Sequence, residues 1–375
     1  MHIHAPFKIA TLRLILVWSL AFPPTVAAAP PLAEATGLVE QVRFNEKITF
    51  CGESVPRDNQ EVLERLEKEL LLSLWDRPQV LLWLKRSRRY MLIIERHLKE
   101  MHLPGDLKYV AVAESALRPH AGSRKGAMGF WQLVPETARR YGLVVDEFVD
   151  ERRHIDASTR AALTYLNDLY QHLGSWTLAV AAYNMGEEGL VAEILEQGTR
   201  DYYKLYLSLE TQRFVPRIIS VKMIMSHPER FGFHLNDRDY YPPRQYDEIR
   251  LDLFHQVPIR VIAAAAGSDF KTIKDLNPQL RGHYLEAGSR LIRIPVGAAT
   301  GFKERFDDLA RKQAHDQQQR VYIVRKGDNL STIAARFRVP LAALIIWNRL
   351  ELRQDIHPGD RLVINPRELK EIPLD

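Results

Sequence analysis

The sequence has little of what several common classes of protein require. It contains one cysteine, Cys51, among 375 residues, so no disulfide can form within the chain and a disulfide-stapled fold is excluded. Its histidines show no metal-ligand spacing, and no phosphate loop, dinucleotide fingerprint or Ser-His-Asp arrangement is visible. The net charge is +5, but no dense Lys/Arg block accompanies it. We therefore expect no cofactor, no metal and no nucleic-acid partner.

The N-terminal segment has the pattern of an export signal. Lys8 and Arg13 accompany a short apolar core, and residues 26–28 supply the small side chains that a signal peptidase requires. The core is well short of the ~20 residues that span a bilayer. The sequence thus predicts a signal peptide over residues 1–29 and a periplasmic or envelope location. An uncleaved segment would instead anchor the protein, with peripheral membrane association.

The pattern of apolar residues divides the rest of the chain. Helical spacing dominates up to about residue 235, with Gly and Pro as punctuation. Asp156 and Gly174 fit the N-cap and the C-terminal glycine of one of these helices. Mixed helix and strand patterns follow. The predicted units are a helical domain at 56–235, a mixed unit at 251–296, a linker at 297–320 and a last mixed unit at 321–365. Within the linker, the charged stretch 301–320 is expected to be a helix that runs into the flexible part.

The two mixed units resemble each other weakly. In the first unit, Asn277 follows an acidic and an apolar residue, and a closing strand that begins with glycine comes later, at 288–292. In the second, Asn348 follows two apolar residues, and the corresponding strand is at 359–363. This similarity predicts an internal repeat in which the first copy is degenerate.

Glu114 is the first candidate for chemistry. It lies in an apolar helix, among Val110, Val112 and Leu117. Such surroundings disfavour the charged carboxylate and raise its pKa, as a general acid near neutral pH requires. Taken alone, the pattern is more often that of a solvent-facing or ion-paired glutamate.

Two further segments carry residues suited to binding sugars. Residues 121–135 form a Gly-rich loop that leads into aromatics and Gln132; glycine permits close backbone approach, and an amide can hydrogen-bond acetamido groups. Residues 181–186 end a helix with Tyr183 and Asn184 before Gly186. By itself, this second segment is better explained by a buried tyrosine and an ordinary helix end.

Together and in this order, these motifs resemble the lytic transglycosylases of glycoside hydrolase family 23. One position departs from the family pattern, because Phe214 stands where a Tyr is usual and the hydrogen bond of that hydroxyl is absent. The matching motifs are Glu114-Ser115, Gly129 to Pro135, Ala182 to Gly186 and Glu210 to Pro216.

The resemblance implies a mainly α fold, with a lysozyme-like helical catalytic domain followed by small α/β (βααβ) modules. It implies cleavage of the bond between N-acetylmuramic acid and N-acetylglucosamine without water, leaving 1,6-anhydro ends. Glu114 would be the single acid and base, as in substrate-assisted exceptions to the two-carboxylate rule. The implied substrate-binding residues are Ser115, Gly129, Gln132, Tyr183 and Asn184.

The last unit resembles a LysM domain, a module that binds N-acetylglucosamine polymers in a groove between two loops. We therefore expect a monomer whose partner is peptidoglycan. Gly327 is equally well explained as a turn residue, and Leu330 as core. The contact candidates are Gly327, Asp328, Asn329, Leu330, Ile356, His357 and Pro358.

Two other functions stay open. The acids at 146, 147, 150 and 151 could supply a second carboxylate and make the enzyme a hydrolysing lysozyme, although a solvated loop is the favoured interpretation. Outside enzymes, the two LysM-like units could make the chain a non-catalytic wall-binding scaffold. The presence of Glu114 argues against the scaffold.

Overall fold

The computed structural model describes residues 32–44, 46–319, 321–350 and 355–364, and the predicted export signal lies outside them. The chain divides into two compact units, one up to Arg43 and one from Phe44 onward. The first holds helix α1 (Leu32–Gln41). All of the features below belong to the second unit.

The second unit begins with a helical domain. A two-stranded antiparallel hairpin precedes it, formed by β1 (Thr49–Phe50) and β2 (Glu53–Ser54). The helices are α2 (Gln60–Trp75), α3 (Arg77–Glu100), α4 (Lys108–Ser115), α5 (Pro135–Arg140), α6 (Ile155–Leu173), α7 (Trp176–Met185), α8 (Glu187–Gln197) and α9 (Leu209–Ser226). Single 3₁₀ turns lie at Gly105–Leu107, Glu151–Arg153, Tyr202–Lys204 and Pro228–Phe231.

Helix α9 organises this domain, because it packs against α2, α4 and α7. Its apolar residues Phe214, Ile218 and Val221 are buried. At α6 the C-terminal glycine Gly174 adopts φ 71° as predicted. The predicted N-cap is wrong: the helix starts two residues earlier than expected, at Ile155, His154 caps it, and Asp156 lies in its first turn.

The middle module follows. Strands β3 (Asp247–Leu253) and β6 (Gly288–Ile294) pair antiparallel along their full length, and β4 (Val257–Pro258) pairs with β5 (Tyr284–Leu285). Helices α10 (Ile259–Ala265) and α11 (Phe270–Leu276) lie between these strands in the chain. The module therefore begins at β3, before the expected residue 251.

The segment expected as a linker, 297–320, is largely helix α12 (Phe302–Gln319). Phe302 and Phe306 are buried in the core of the middle module, and the Arg305 side chain donates to the Ala265 carbonyl oxygen at 2.7 Å. The four-residue spacing of the two rings places them on one helix face. The high charge of the segment concealed this apolar face, so most of the expected linker is part of the module.

The C-terminal module has the same order of elements, with β7 (Val321–Ile323), α13 (Leu330–Arg336), α14 (Leu341–Asn348) and β8 (Arg361–Val363). Its small core includes Val324, Ile333 and Leu344. It also contacts the middle module, since the Arg349 guanidinium lies 4.6 Å from the centre of the Tyr284 ring.

The two asparagines of the sequence repeat make the same hydrogen bonds. Asn277 donates to the carbonyl oxygens of Ile273 and Arg293 and accepts from the Arg293 amide, at 2.8, 2.6 and 2.9 Å. Asn348 donates to the carbonyls of Leu344 and Val363 and accepts from the Val363 amide, at 3.0, 2.8 and 2.6 Å. In each module the side chain joins the second helix to the last strand.

The expected fold class, mainly α with small α/β modules, is confirmed. In the described part of the chain no single helix is long and apolar enough to cross a membrane. The two short helices α13 and α14 have the required length and apolar composition only when they are taken together, and a bend of 109° separates them.

Candidate active site

Glu114 lies in the last turn of α4, where the chain changes direction abruptly. The two residues after Ser115, Ala116 and Leu117, both adopt left-handed backbone conformations, with φ of 54° and 57°. Non-glycine residues pay for this conformation, and such strain concentrates at functional sites. The turn leaves Glu114 half-buried at the end of an otherwise apolar helix.

The surroundings of Glu114 favour its protonated form. Burial raises the pKa of its carboxyl from the ordinary 4.5 to about 8; Arg217 opposes the shift and Glu210 adds to it. These two residues are seven positions apart on α9, which is two helical turns, so they share one face. Neither residue was predicted to act on Glu114, although Glu210 is the first residue of the motif that runs from Glu210 to Pro216.

The Gly-rich loop is shaped by its own side chains. The Gln132 amide nitrogen donates to the carbonyl oxygens of Ala121 and Gly129, at 2.9 and 2.8 Å. Gly129 adopts φ 83°, and a Cβ there would lie 1.8 Å from the Arg152 carbonyl oxygen. Gly129 is therefore required by the protein's own backbone, whereas the sequence analysis assigned it to the substrate. The Gln132 amide nitrogen is likewise engaged within the loop.

A buried ion pair supports this loop from beneath. The Arg152 guanidinium makes two 2.8 Å hydrogen bonds to the Asp150 carboxylate, and both side chains are buried. It also donates to the carbonyl oxygens of Gly126 and Leu133 at 2.7 and 3.0 Å. Arg152 thus fixes both sides of the loop.

Three of the four acids considered as second carboxylates hold local structure, and the fourth, Glu147, is exposed. Asp150 is only 2% exposed, so the solvated-loop interpretation is wrong for it. Asp146 accepts from the amides of Phe148 and Val149. Glu151 accepts from the Val144 amide at 2.8 Å.

Tyr183 connects α7 to the loop. Its hydroxyl donates to the Trp131 carbonyl oxygen at 2.5 Å. Burial and the nearby Glu114 raise the pKa of Tyr183 well above 10, so the phenol stays a neutral donor. The side-chain Oδ1 of Asn184 accepts a hydrogen bond from the Thr211 hydroxyl at 3.0 Å, which ties the end of α7 to the start of α9.

The structure does not place every predicted residue at the site. Ser115 is buried, and its hydroxyl donates to the Ala111 carbonyl oxygen at 3.0 Å, so it faces the helix interior. Phe214 is 1% exposed and belongs to the core. Glu114, Tyr183 and the loop carrying Gln132 do come together.

The LysM contact candidates lie in the C-terminal module, on two loops. Asn329 caps α13 in a capping box with Thr332, and Asp328 accepts from the Tyr322 hydroxyl at 2.6 Å. Gly327 has φ 89°, as a turn requires. Leu330 and Ile356 pack partly against the core, whereas His357 and Pro358 are exposed.

No group of three or more His, Cys, Asp or Glu side chains able to hold a metal occurs among the described residues. The polar groups that the structure brings together at the site are the Glu114 carboxyl, the Tyr183 phenol and the amide of Gln132.

Three family models match the chain. Residues 91–206 match the transglycosylase SLT domain, residues 247–311 the LysM-like domain of lytic transglycosylase MltD, and residues 322–365 the LysM domain. The chain thus combines an SLT transglycosylase domain with LysM modules, and the resemblance drawn from the four motifs is confirmed.

One curated relative is named as a lytic murein transglycosylase. The chain is 33% identical over 293 residues to membrane-bound lytic murein transglycosylase D of Escherichia coli strain K12. The match covers 74% of this chain and 64% of that protein, so the chain spans just under two thirds of its relative's length.

Two solved structures align with parts of the chain. An inactive mutant of lytic transglycosylase Slt from Pseudomonas aeruginosa aligns at 22% identity and a TM-score of 0.30, over 41% of this chain and 26% of its own. The 70 kDa soluble lytic transglycosylase of Escherichia coli aligns at 16% identity and a TM-score of 0.34, over 56% and 36%.

Proposed function

We propose that the chain is a peptidoglycan lytic transglycosylase with Glu114 as its acid and base. The observation that carries this proposal is the environment of Glu114, a half-buried carboxyl whose pKa is raised to about 8. At neutral pH this group holds the proton that a glycosidic leaving group needs. The SLT domain match and the lytic transglycosylase relative support the same reaction.

The reaction uses Glu114 twice. In the first step, its proton goes to the glycosidic oxygen as that oxygen leaves C1 of N-acetylmuramic acid, and the 2-acetamido group of this sugar stabilises the cation. In the second, the carboxylate takes the proton of the 6-hydroxyl, whose oxygen bonds to C1. The products are a free 4-hydroxyl on N-acetylglucosamine and a 1,6-anhydro ring, and Glu114 is protonated again.

The neighbouring residues would position the strand. Tyr183 and Asn184 would line the sugar-binding surface beside Glu114. The loop carrying Gly129 would present its backbone and the side-chain oxygen of Gln132 to the sugars. Ser115 would not contact the glycan strand directly, because its hydroxyl is buried and donates to the Ala111 carbonyl oxygen.

The C-terminal module would bind the same polymer. Its exposed loop residues His357 and Pro358, together with the 327–330 loop, are our candidates for contact with N-acetylglucosamine. The domain order we propose is a helical catalytic domain, a middle LysM-like module that includes α12, and a LysM module. The relative's name, membrane-bound, supports an envelope location, and we propose a monomer.

One observation favours a second candidate function, a hydrolysing lysozyme. Glu210 is an exposed carboxylate whose charge raises the pKa of Glu114, which makes it the candidate for a base that would activate a water molecule. In that case Glu210→Gln would abolish cleavage. In a transglycosylase the variant would still cleave, with an altered pH profile.

The test is mass spectrometry of the soluble products released from purified sacculi by wild type, Glu114→Gln and Glu210→Gln. We expect fragments ending in 1,6-anhydromuramic acid from wild type and Glu210→Gln, and none from Glu114→Gln. Reducing ends from wild type, lost in Glu210→Gln, would establish the hydrolase. Binding without any product would establish the scaffold.

A further inference from the structure

The middle module is joined to the helical domain by strand-like backbone pairing. Val149 and Leu280 form an antiparallel bridge. Beside it, the Arg281 amide donates to the Phe148 carbonyl oxygen and its side chain donates to the Asp146 carbonyl oxygen, both at 2.7 Å. Backbone pairing of this kind fixes the register of the two segments that it joins.

The same segment of the helical domain completes the core of the module. Val149 is buried among the module's apolar residues, and Val144 and Phe148 pack against them. Without the module these three side chains would be exposed on a short loop. The 144–150 loop is therefore part of the helical domain in sequence and part of the core of the middle module in its packing.

From this loop a continuous series of contacts leads to the active site. The Asp150 amide donates to the Gln279 carbonyl oxygen of the module at 2.8 Å, while its carboxylate holds Arg152. Arg152 in turn holds the Gly-rich loop through the carbonyl oxygens of Gly126 and Leu133. That loop presents the Trp131 carbonyl to Tyr183, beside Glu114.

A second attachment fixes the orientation of the module. The Arg293 guanidinium, on β6, pairs with Asp156 of α6 at 2.9 Å. Asp156 also pairs with Arg96 of α3 at 2.5 Å. Within the module, the Asn277 hydrogen bonds hold β6 to α11, so the two attachments move as one body.

We propose that the middle module is a positioning element of the active site, which holds the Gly-rich loop in place against Tyr183, beside Glu114, through Asp150 and Arg152. The proposal rests on the proposed function only for its catalytic readout. The module does not touch substrate in this role. In the proposal, a loop held in place keeps Tyr183 packed beside Glu114 and thereby preserves the burial of the carboxyl.

The test compares Arg281→Pro with Arg305→Ala in the full chain. Arg281→Pro removes the backbone donor to Phe148 and the side-chain bond to Asp146. The residue before it, Leu280, lies in a β-bridge, which is the backbone region that a following proline favours. Arg305→Ala removes a comparable set of side-chain bonds to carbonyls, all within the module. The second variant therefore weakens the module without touching the contact.

Two readouts are measured. Hydrogen exchange of the 126–133 segment should be about tenfold faster in Arg281→Pro, with α10 still protected. The alkaline limb of kcat/KM on soluble glycan strands should move to lower pH, because water that reaches Glu114 removes the burial that raises its pKa. Arg305→Ala should leave both unchanged.

Simple loss of stability would lower the amount of active enzyme and leave the limb in place. An unmoved limb in Arg281→Pro overturns the proposal even if exchange increases, and so does an equal shift in Arg305→Ala. If wild type yields no 1,6-anhydro products, the proposed function fails. In that case unchanged exchange at 126–133 would still overturn the structural coupling independently.

Discussion

The two charges that act on Glu114 can be removed one at a time, with opposite results. Arg217 lowers the pKa of Glu114 and Glu210 raises it. Arg217→Gln should therefore raise this pKa, and Glu210→Gln should lower it. Glu210→Gln keeps the shape of the side chain, and Arg217→Gln keeps a polar but shorter one, so the two variants differ mainly in the sign of the charge that is removed.

The size of each shift follows from Coulomb's law. The Arg217 side chain is 33% exposed, so its field passes partly through solvent. Two unit charges about 10 Å apart, at an effective dielectric constant of about 20 to 40, interact by roughly 1 kcal/mol. This corresponds to somewhat less than one pKa unit in each direction, since one unit is about 1.4 kcal/mol.

The assay is the pH dependence of kcat/KM on soluble glycan strands. The reactive form of Glu114 in the free enzyme is the protonated one, so the rate should be flat below a pH of about 8. Above that pH it should fall by about tenfold per pH unit. We expect the alkaline limb to move up in Arg217→Gln and down in Glu210→Gln.

Arg213 provides the matched control. It pairs with the same buried acid as Arg217, Glu69, but it is not among the charges of the described residues that shift the pKa of Glu114. Arg213→Gln should leave the limb in place. Shifts of the same sign in the Arg217 and Glu210 variants would refute the electrostatic account of Glu114.

Three further outcomes follow from the structure. Because the pKa of Glu114 is higher in the folded protein, the folded state loses stability as the pH rises from about 4.5 to about 8. Calorimetry should therefore show that Glu114→Gln has a Tm higher than wild type by on the order of a few degrees at about pH 9. At about pH 4 the two Tm values should differ little. Arg152→Met should cost about 3 kcal/mol in urea unfolding, because the buried Asp150 carboxylate would keep only the longer ion pair to Arg153, at 3.7 Å, and a double variant with Asp150→Leu should cost less than this single one. Asn348→Ala should unfold the C-terminal module, so that sacculus binding falls while cleavage of soluble strands is unchanged; equal loss of both would contradict a separate binding module.

The sequence predicted the parts of the fold that depend on local pattern. Helical spacing predicted the helical domain, and Gly174 predicted the end of α6, because apolar periodicity and a left-handed glycine are local signals. The repeat was visible through Asn277 and Asn348, whose hydrogen bonds explain why asparagine stands at both positions. The sequence predicted a helix running into a linker at 301–320, but not its packing onto the middle module, because the two buried rings of Phe302 and Phe306 stand among many charges.

The candidate site was predicted less completely. Glu114 and Tyr183 came from motifs, and the raised pKa of Glu114 from its apolar neighbours. The parts that depend on distant contacts could not be predicted. Gly129 faces the Arg152 backbone, and Asp150 is buried under the loop, because of packing between segments that no local pattern describes.

The most direct test of the central claim is digestion of sacculi in ¹⁸O-labelled water, with mass spectrometry of the new muramic acid ends. Closure by the 6-hydroxyl takes no oxygen from solvent, so we predict unlabelled 1,6-anhydro ends that are lost in Glu114→Gln. Reducing ends that carry ¹⁸O from the moment of cleavage would show that water attacks C1, and would contradict the account.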